Sequence, residues 1–224
     1  AIIPAGTGGD FSRSIGMSDV NPEQALRSAS VRNVDLGRMR LSDGKGGETT
    51  RYFMNIASFG STAAIMDKIN SAPKILPGKA TYFWGSIKGL MTYQNQRIRL
   101  RVDDVFDEEL RVNSVAVANG RYFGGSMKIA PKARLTDGLL DVVIVGDVSL
   151  GEFLRSNKKL YKGEHLDLKP FTFLRGKEVI AEPVDYDPVL LEADGERPGQ
   201  LPARIDLVPD SIRLWAPWDR AEAG

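Results

Sequence analysis

The sequence contains no cysteine and only one histidine, and both absences narrow the chemistry available to it. Without cysteine there is no disulfide framework, no thiolate zinc site and no cysteine nucleophile. The one histidine, His165, cannot build a histidine-rich metal site, and the Gly-x-Ser-x-Gly element of serine hydrolases does not occur. We therefore predict a structural or pocket-lining role for His165.

Long apolar runs and an excess of one charge are absent as well. No stretch of about 18 uncharged apolar residues occurs, so we expect no transmembrane helix. Lys and Arg number 30 against 29 Asp and Glu, for a net charge of +1. That balance argues against a dedicated nucleic-acid binder. It leaves room for a local basic patch, since Arg97, Arg99 and Arg101 share one face of a predicted strand, which either meets lipid headgroups or is solvated.

The first residues have the character of the interior of a structural unit. Ile2-Ile3 is typical of the end of a buried strand and leads at once into a glycine-rich turn, with no basic or long apolar leader before it. We therefore expect the C-terminal part of a longer protein, with an N-terminal portion missing.

Strand patterns dominate the rest of the chain. Alternation of apolar and polar residues predicts about eight to ten strands and three or four helices. The ranges 50–58 and 109–119 are each predicted as one strand, and 150–161 has helical spacing. The strand-turn-strand order favours an α+β fold that is mainly β, an antiparallel sandwich or barrel with flanking helices.

The first of five segments suited to chemistry is the glycine-rich turn at residues 3–13. A turn of this kind after a strand exposes backbone N–H groups, here around Gly6 and Gly8, to which phosphate oxygens can bind. Thr7 adds a hydroxyl, and Asp10 can hold Mg²⁺ directly or through water. The alternative is a plain strand-to-helix turn that Asp10 caps. It is not a P-loop, because no Gly-Lys-Ser/Thr follows.

The other four segments contain acidic residues or clustered glycines. They are Asp35 on a half-buried strand, the range 118–131 with three glycines near two aromatic residues, Asp137 before a glycine, and Asp194 and Glu196 on either side of Gly195. An aspartate in a tight loop can lie beside main-chain carbonyls, a ligand set that hard cations accept. Two carboxylates beside a glycine can supply a base near a metal-bound phosphate. Each segment can also be an ordinary turn or an exposed acid.

Taken in order, the motifs resemble those of the diacylglycerol kinase, sphingosine kinase and ceramide kinase superfamily, and most of all its soluble bacterial-type members. They are Pro-x-Gly-Thr-Gly-x-Asp-Phe-x-Arg, Val-Asp-Leu-Gly, Phe-x-Asn-x-Ala-x-x-Gly, Asn-Gly-Arg-Tyr-Phe-Gly-Gly, Leu-x-Asp-Gly-Leu-Leu-Asp and Asp-Gly-Glu. The resemblance covers residues 2–214. It implies transfer of the γ-phosphate of ATP to a lipid hydroxyl, and a fold that joins an α/β nucleotide domain to a C-terminal antiparallel β-sandwich.

The resemblance also implies a role for individual residues, with ATP and Mg²⁺ as cofactors. Glu196 matches the general base and Asp194 its acidic neighbour, while Asp10 and Asp35 match a water-and-Mg²⁺ network near the phosphates. The implied sets are catalytic Glu196, Asp194 and Asp10; nucleotide-binding Thr7, Gly6 and Gly8; and metal-binding Asp137 and Asp35, with the main-chain carbonyls of Arg134 and Leu139.

Two departures from the superfamily pattern affect these expectations. Gly9 stands where asparagine is usual, and the hallmark Gly-Gly-Asp-Gly-Thr motif, which carries the central ATP-phosphate contacts, does not occur. We therefore expect a remnant of the α/β nucleotide-binding domain at 1–32, the β-sandwich at 33–210, and a C-terminal strand and tail at 211–224. We expect this fragment to be inactive alone.

Other readings stay open at this stage. One is a catalytically silent lipid-binding or regulatory sandwich of the same fold, and another is a sphingoid-base or ceramide kinase. A sugar or NAD kinase is disfavoured by the Leu-x-Asp-Gly-Leu-Leu-Asp and Asp-Gly-Glu pair. The expected partners are a lipid with a free hydroxyl, a transiently visited membrane surface, the missing nucleotide domain and a second copy of the chain, but no nucleic acid. The expected location is the cytoplasm, peripheral at the membrane.

Overall fold

A computed structural model of the chain describes residues 2, 9–18, 20–63, 93–148 and 150–223. In chain order its elements are α1 Asp10–Ser14, α2 Pro22–Arg27, β1 Ser30–Ser42, β2 Glu48–Phe53, β3 Ile56–Gly60, β4 Gln96–Val102, β5 Phe106–Val112, β6 Ser114–Ala118, β7 Leu140–Val145, α3 Leu150–Lys162, β8 Phe171–Gly176, β9 Glu178–Pro183, β10 Leu190–Ala193, β11 Glu196–Ala216 and α4 Trp218–Ala223.

Within the described residues, eleven strands form one sheet, and the pairings between them are antiparallel. The strand order is β5-β4-β9-β11-β10-β3-β6-β7-β8, with β1 paired to β11 and β2 paired to β1. The long strand β11 pairs with β1, β9 and β10, so the sheet branches there. This architecture confirms the predicted class, an antiparallel fold that is mainly β.

The main core lies on one face of the sheet, which curls into a sandwich-like half-barrel. Strand β4 shows the pattern behind it: Ile98, Leu100 and Val102 are fully buried and alternate with exposed arginines. Residues from nearly every strand join them, including Phe59 and Ile205. The removal of this apolar surface from water is the dominant favourable contribution to folding.

Two smaller clusters cover what the main core leaves. The first lies on the opposite face of β3, β6 and β7, strands that are buried throughout, and it includes Ile56, Val143 and Leu160 of α3. The second packs α1, α2 and α4 against the ends of β1 and β11, around Trp218 and Leu214. The central strands β3, β6 and β7 are therefore enclosed on both faces.

Two of the strand predictions were wrong in length. The predicted strand at 50–58 is divided into β2 and β3 by Met54 and Asn55, and the one at 109–119 is divided at Asn113. The N–H of Asn113 donates to the carbonyls of Val145 (2.9 Å) and Gly146 (3.1 Å), which turns the chain into β6. Alternation of residue types does not reveal such hydrogen bonds between distant residues. The pattern therefore predicts one continuous strand across each break.

Of the other predicted boundaries, the start of α2 agrees with the structure and several others do not. Asn21 caps α2 as expected, accepting from the N–H groups of Glu23 (2.9 Å) and Gln24 (3.2 Å). The strands predicted at 204–208 and 211–215 are parts of β11, and β1 and β11 run through the positions expected as domain boundaries, 32 and 210. The helices predicted at 62–70 and 80–93 lie mostly outside the described residues.

Candidate functional site

The acidic segment at the end of β10 forms a two-residue hairpin. Ala193 pairs with Glu196, and the two residues between them, Asp194 and Gly195, have φ of 48° and 89°. Positive φ at both central residues is the signature of a type I′ turn, for which Asp-Gly is a preferred sequence. Local sequence therefore dictates the turn that presents Glu196 at the start of β11.

The carboxylate of Asp194 binds the break between β2 and β3. It accepts from the backbone N–H groups of Met54 (2.7 Å), Asn55 (3.1 Å) and Ile56 (3.0 Å), and its own N–H donates to the Ile56 carbonyl (3.1 Å). Desolvation raises the pKa of Asp194, the three amide donors oppose that rise, and Glu196 adds to it. The structure thus places Asp194 beside Glu196, with its oxygens occupied by backbone amides.

Glu192 lies beneath this turn and was missed by the sequence analysis. Its residue surface is 9% exposed, and its side chain faces away from the main core together with Ser58, its cross-strand partner on β3. One carboxylate oxygen accepts from Gly195 N–H (2.7 Å), and the other lies 2.6 Å from Ser58 Oγ. Burial raises the pKa of Glu192. The sequence feature that could have revealed it is its place in Leu190–Ala193, a strand that is apolar apart from this residue.

Asp194 and Glu196 are both exposed to solvent, whereas Glu192 is buried. Within the described part of the chain, the carboxylate of Glu196 makes no hydrogen bond or ion pair, whereas those of Glu192 and Asp194 are both bonded to backbone amides. A carboxylate in that condition can accept a proton from an incoming hydroxyl. This is the property expected of a general base.

The turn at Asn119 and Gly120 connects the hairpin region to the N-terminal helix. The amide of Asn119 donates to the carbonyls of Met54 (2.8 Å) and Asp35 (2.9 Å), and Arg121 N–H donates to Ser14 Oγ of α1 (3.0 Å). A Cβ at Gly120 would lie 2.1 Å from Asn55 Oδ1, so the close packing of this turn requires glycine. The segment predicted from its glycines therefore joins the surroundings of Asp194, Asp35 and α1.

Asp10 ties α1 to the loop that follows this turn. Its carboxylate accepts from the backbone N–H groups of Gly125 (2.9 Å) and Ser126 (2.7 Å), and Arg13 lies 3.4 Å from it. Asp10 is thus in contact with the Gly124-Gly125 region singled out by sequence. The predicted nucleotide-binding residues Gly6, Thr7 and Gly8 lie outside the described residues.

Asp35 is buried at the junction of β1, the Asp137 turn and β11. It is 3% exposed, and its two oxygens accept from the backbone N–H groups of Gly138 (2.8 Å) and Asp210 (3.0 Å). Its own N–H donates to the Leu135 carbonyl (2.8 Å). The structure therefore brings Asp35 next to the Asp137 turn and shows it bracing that turn.

Substitution of Asp35 tests whether this residue braces the Asp137 turn or belongs to a metal network. In Asp35→Asn the amide nitrogen faces one of the two backbone donors, which then lacks an acceptor, so we expect a loss of about 2 kcal/mol in the free energy of unfolding. Urea denaturation measures it, with the exposed Asp104→Asn as a matched control that changes stability by no more than about 0.5 kcal/mol. An unchanged stability together with a raised KM for MgATP contradicts the bracing role and supports the metal network.

Arg175 lies beside Asp137, the residue that the resemblance implies as a magnesium ligand. Its guanidinium bonds Oδ2 of Asp137 and, at 2.7 Å, Oδ1 of Asp141, which is completely buried. The other oxygen of Asp137 accepts from Leu139 N–H (3.2 Å). Carboxylates in a glycine turn are of the type hard cations bind. However, a side-chain cation is already bonded to both carboxyl groups.

The fit of a structural Mg²⁺ to this turn is accordingly poor in the arrangement seen. Oxygens of Asp35 and Asp137 are bonded to N–H donors, and no group of three or more His, Asp or Glu suited to a metal occurs among the described residues. Arg134 and Leu139, whose carbonyls were expected to complete the ligands, lie in the same turn. The metal role of these four residues stays a prediction.

The remaining sequence predictions concern His165 and the arginines of β4. His165 is fully buried, its Nε2 lies 3.0 Å from the Ile129 carbonyl, and its ring packs edge-on against Phe171. Burial lowers its pKa. These surroundings agree with the predicted structural or pocket-lining role. Arg99 pairs with Asp107 (2.9 Å) and Arg97 with Glu109 (3.4 Å), as on a solvated strand face. None of the described helices is long and apolar enough to cross a membrane.

Comparisons with known proteins point to one family. A family model described as the YegS C-terminal NAD kinase beta sandwich-like domain matches residues 55–216. Diacylglycerol kinases of Mycobacterium tuberculosis and Bacillus subtilis are 29% and 26% identical to the chain, over 96% and 99% of its length and 68% and 70% of theirs. A solved putative diacylglycerol kinase from Bacillus anthracis shares the fold, with a TM-score of 0.68, 24% identity, and coverage of 95% of this chain and 66% of that one. The chain thus spans about two thirds of the length of these relatives.

Proposed function

Since the chain belongs to the family of the YegS C-terminal NAD kinase beta sandwich-like domain, we propose that it is the acceptor-side part of a lipid kinase that transfers the γ-phosphate of MgATP to a lipid hydroxyl. The observation that carries the proposal is the hairpin at Asp194 and Gly195. It presents an exposed Glu196 carboxylate, which no other described residue bonds, beside two acids, Glu192 and Asp194, that are held by backbone amides. The names of the diacylglycerol kinases that match nearly the whole chain support the same reaction class.

For this reaction the protein mainly has to position the two substrates and supply a base. The lipid hydroxyl oxygen forms a bond to the γ-phosphorus as the bond from that phosphorus to the ADP oxygen breaks. The hydroxyl proton passes to the carboxylate of Glu196, which later releases it to solvent. Asp194 holds the hairpin against the start of β3, so that Glu196 meets the hydroxyl from a defined direction. MgATP enters as the second substrate.

We propose that the main contacts to the ATP phosphates are made by residues outside these 224. The Gly-Gly-Asp-Gly-Thr motif is not in the sequence, and the relatives are about half as long again as the matched part. The glycine turn around Thr7 would add contacts from this chain, and Asp10 would hold that turn's helix against the Gly125 loop. The isolated chain is accordingly expected to be inactive.

The proposed acceptor is diacylglycerol, in line with the names of the relatives. Sphingoid bases and ceramide carry the same reacting group, a hydroxyl on an amphiphile, and are the competing acceptors. Each is a membrane lipid, so the enzyme must visit a membrane surface to reach it. A second copy of the chain is also among the proposed partners.

The test is transfer of ³²P from labelled ATP and Mg²⁺ to a lipid panel by the full-length protein. Diacylglycerol, a sphingoid base, ceramide and phosphatidylglycerol are presented in mixed micelles, and the isolated 224-residue chain is assayed in parallel. We expect label in one lipid class with the full-length protein and none with the isolated chain. Lipid binding without any transfer contradicts the proposal and supports a silent binding domain instead.

A further inference from the structure

Glu192 is a buried acid that the proposed chemistry does not use, and it lies directly under the turn that carries Glu196. We propose that Glu192 is a positioning residue for Glu196: it fixes the amide of Gly195, and through it the direction in which Glu196 leaves the hairpin. The proposal rests on the function proposed above. It assigns Glu192 no contact with either substrate.

The hairpin turn is held from two sides. Asp194 attaches it to the backbone at Met54, Asn55 and Ile56, which fixes the first half of the turn. Glu192 accepts from Gly195 N–H at 2.7 Å, which fixes the second half, one peptide before Glu196. A two-residue turn closed on both sides has little freedom left, so the backbone of Glu196 is tied to the rigid strands β3 and β10.

Ser58 fixes Glu192 in turn. The two residues are cross-strand partners of β10 and β3, Ser58 is fully buried, and its Oγ lies 2.6 Å from the second carboxylate oxygen. Their neighbours on that face of the sheet include Ile56 and Ala116, so the pair sits at the margin of an apolar cluster. Both oxygens of Glu192 are thereby bonded, which holds the side chain in one position.

The turn does not require a buried acid. An Asp-Gly turn forms without one, and burial of a carboxyl group is unfavourable unless its oxygens are hydrogen-bonded. Ser58 Oγ donates to one carboxylate oxygen of Glu192, and Gly195 N–H donates to the other. Glutamine can keep both contacts, since its carbonyl oxygen can accept from Gly195 N–H and its amide can donate to Ser58 Oγ, whereas an aliphatic residue can make neither.

The experiment compares Glu192→Gln, Glu192→Leu and Ser58→Ala in the full-length protein, with kcat expressed per folded molecule. A misplaced base can reduce turnover by about 10²-fold, so we expect Glu192→Leu to lower kcat by about 10- to 100-fold with KM values for lipid and MgATP within about twofold. Glu192→Gln is expected to retain most of the activity, and Ser58→Ala to fall between the two. Leucine fills the site, which guards against a variant that merely fails to fold.

A second readout separates this proposal from the proposed function. Amide hydrogen exchange of Gly195, followed by NMR, is expected to speed up at least about tenfold in Glu192→Leu and to stay near the wild-type rate in Glu192→Gln. Unchanged exchange in Glu192→Leu, or equal kcat losses in the glutamine and leucine variants, overturns the proposal. If the wild-type protein transfers no phosphate to any lipid, the proposed function fails, and the Gly195 exchange rates still decide whether Glu192 holds the turn.

Discussion

Replacing Glu196 with glutamine in the full-length protein is expected to lower kcat for phosphate transfer by about 10²- to 10⁴-fold, the range that a general base contributes. Glutamine has nearly the same shape but cannot take the proton of the lipid hydroxyl. The KM values for lipid and MgATP are expected to change little, because the proton moves only as the new O–P bond forms. Steady-state ³²P transfer over a range of both substrates measures all three constants.

The matched control is Glu108→Gln, at an exposed position on the edge strand β5. It removes the same charge far along the sheet from the hairpin and is expected to leave kcat within about twofold, as surface substitutions away from special features usually do. The melting temperature of Glu196→Gln is also expected to match the wild type, since the Glu196 side chain is exposed. A wild-type kcat in Glu196→Gln rules out this residue as the base.

The fold class and the hairpin were accessible from sequence because both depend on local signals. Alternation marks strands such as β4, and Asp-Gly between two strand patterns marks a two-residue turn. The prediction of Glu196 as the base came from the resemblance to lipid kinases, and it stays a prediction.

The surroundings of the hairpin were not accessible, because they depend on pairs far apart in the chain. Asp194 binds the backbone of Met54, about 140 positions away, and the same contact ends β2 and divides a run that alternation predicts as one strand. Glu192 is conspicuous only once β10 is known to be a buried strand next to β3. A sequence pattern shows which residues can be buried, whereas topology decides which polar groups meet there.

The Asp137 turn shows the same limit of sequence-based prediction for charged groups. From sequence, Asp137 before a glycine is typical of a hard-cation ligand, and the resemblance points the same way. Arg175 lies on β8, which pairs with β7 so that Arg175 is directly opposite Asp141. Strand pairing therefore brings a cation to these carboxylates, and no local sequence motif predicts that contact.

Arg175→Ala is expected to lower the free energy of unfolding by about 2–4 kcal/mol at neutral pH. The substitution leaves Asp141 without its cation, and removal of one partner from a fully buried pair typically has an effect of about 3–5 kcal/mol. The guanidinium of Arg175 keeps partial contact with solvent, so the lower range applies. Urea denaturation measures the change. Arg204→Ala, which breaks the exposed pair with Glu178, is the control and is expected to change stability by less than about 1 kcal/mol.

The loss of unfolding free energy in Arg175→Ala is expected to grow as pH rises. Burial raises the pKa of Asp141, and Arg175 opposes that rise. Without Arg175 the folded-state pKa rises further, so the folded variant binds the Asp141 proton more tightly than the unfolded chain does. The stabilisation from that proton is present at low pH and is lost as pH rises through the folded-state pKa. The deficit relative to wild type is therefore smallest near about pH 4 and grows toward about pH 8, and a deficit that shrinks with pH contradicts this assignment.

The same variant decides between guanidinium and metal at the Asp137 turn. If Arg175 is the cation, the melting temperature of the wild type changes by less than about 1 °C between EDTA and excess Mg²⁺. A Mg²⁺ ion bound at about 100 times its Kd would contribute about 2.7 kcal/mol, which corresponds to a shift of roughly 5–10 °C for a chain of this size. In Arg175→Ala, Asp137 and Asp141 have lost their cation, and Mg²⁺ is expected to stabilise the variant more than the wild type. A melting temperature of the wild type that falls in EDTA would mean that metal and guanidinium share these carboxylates, and would return Asp137 to the metal role that its motif implies.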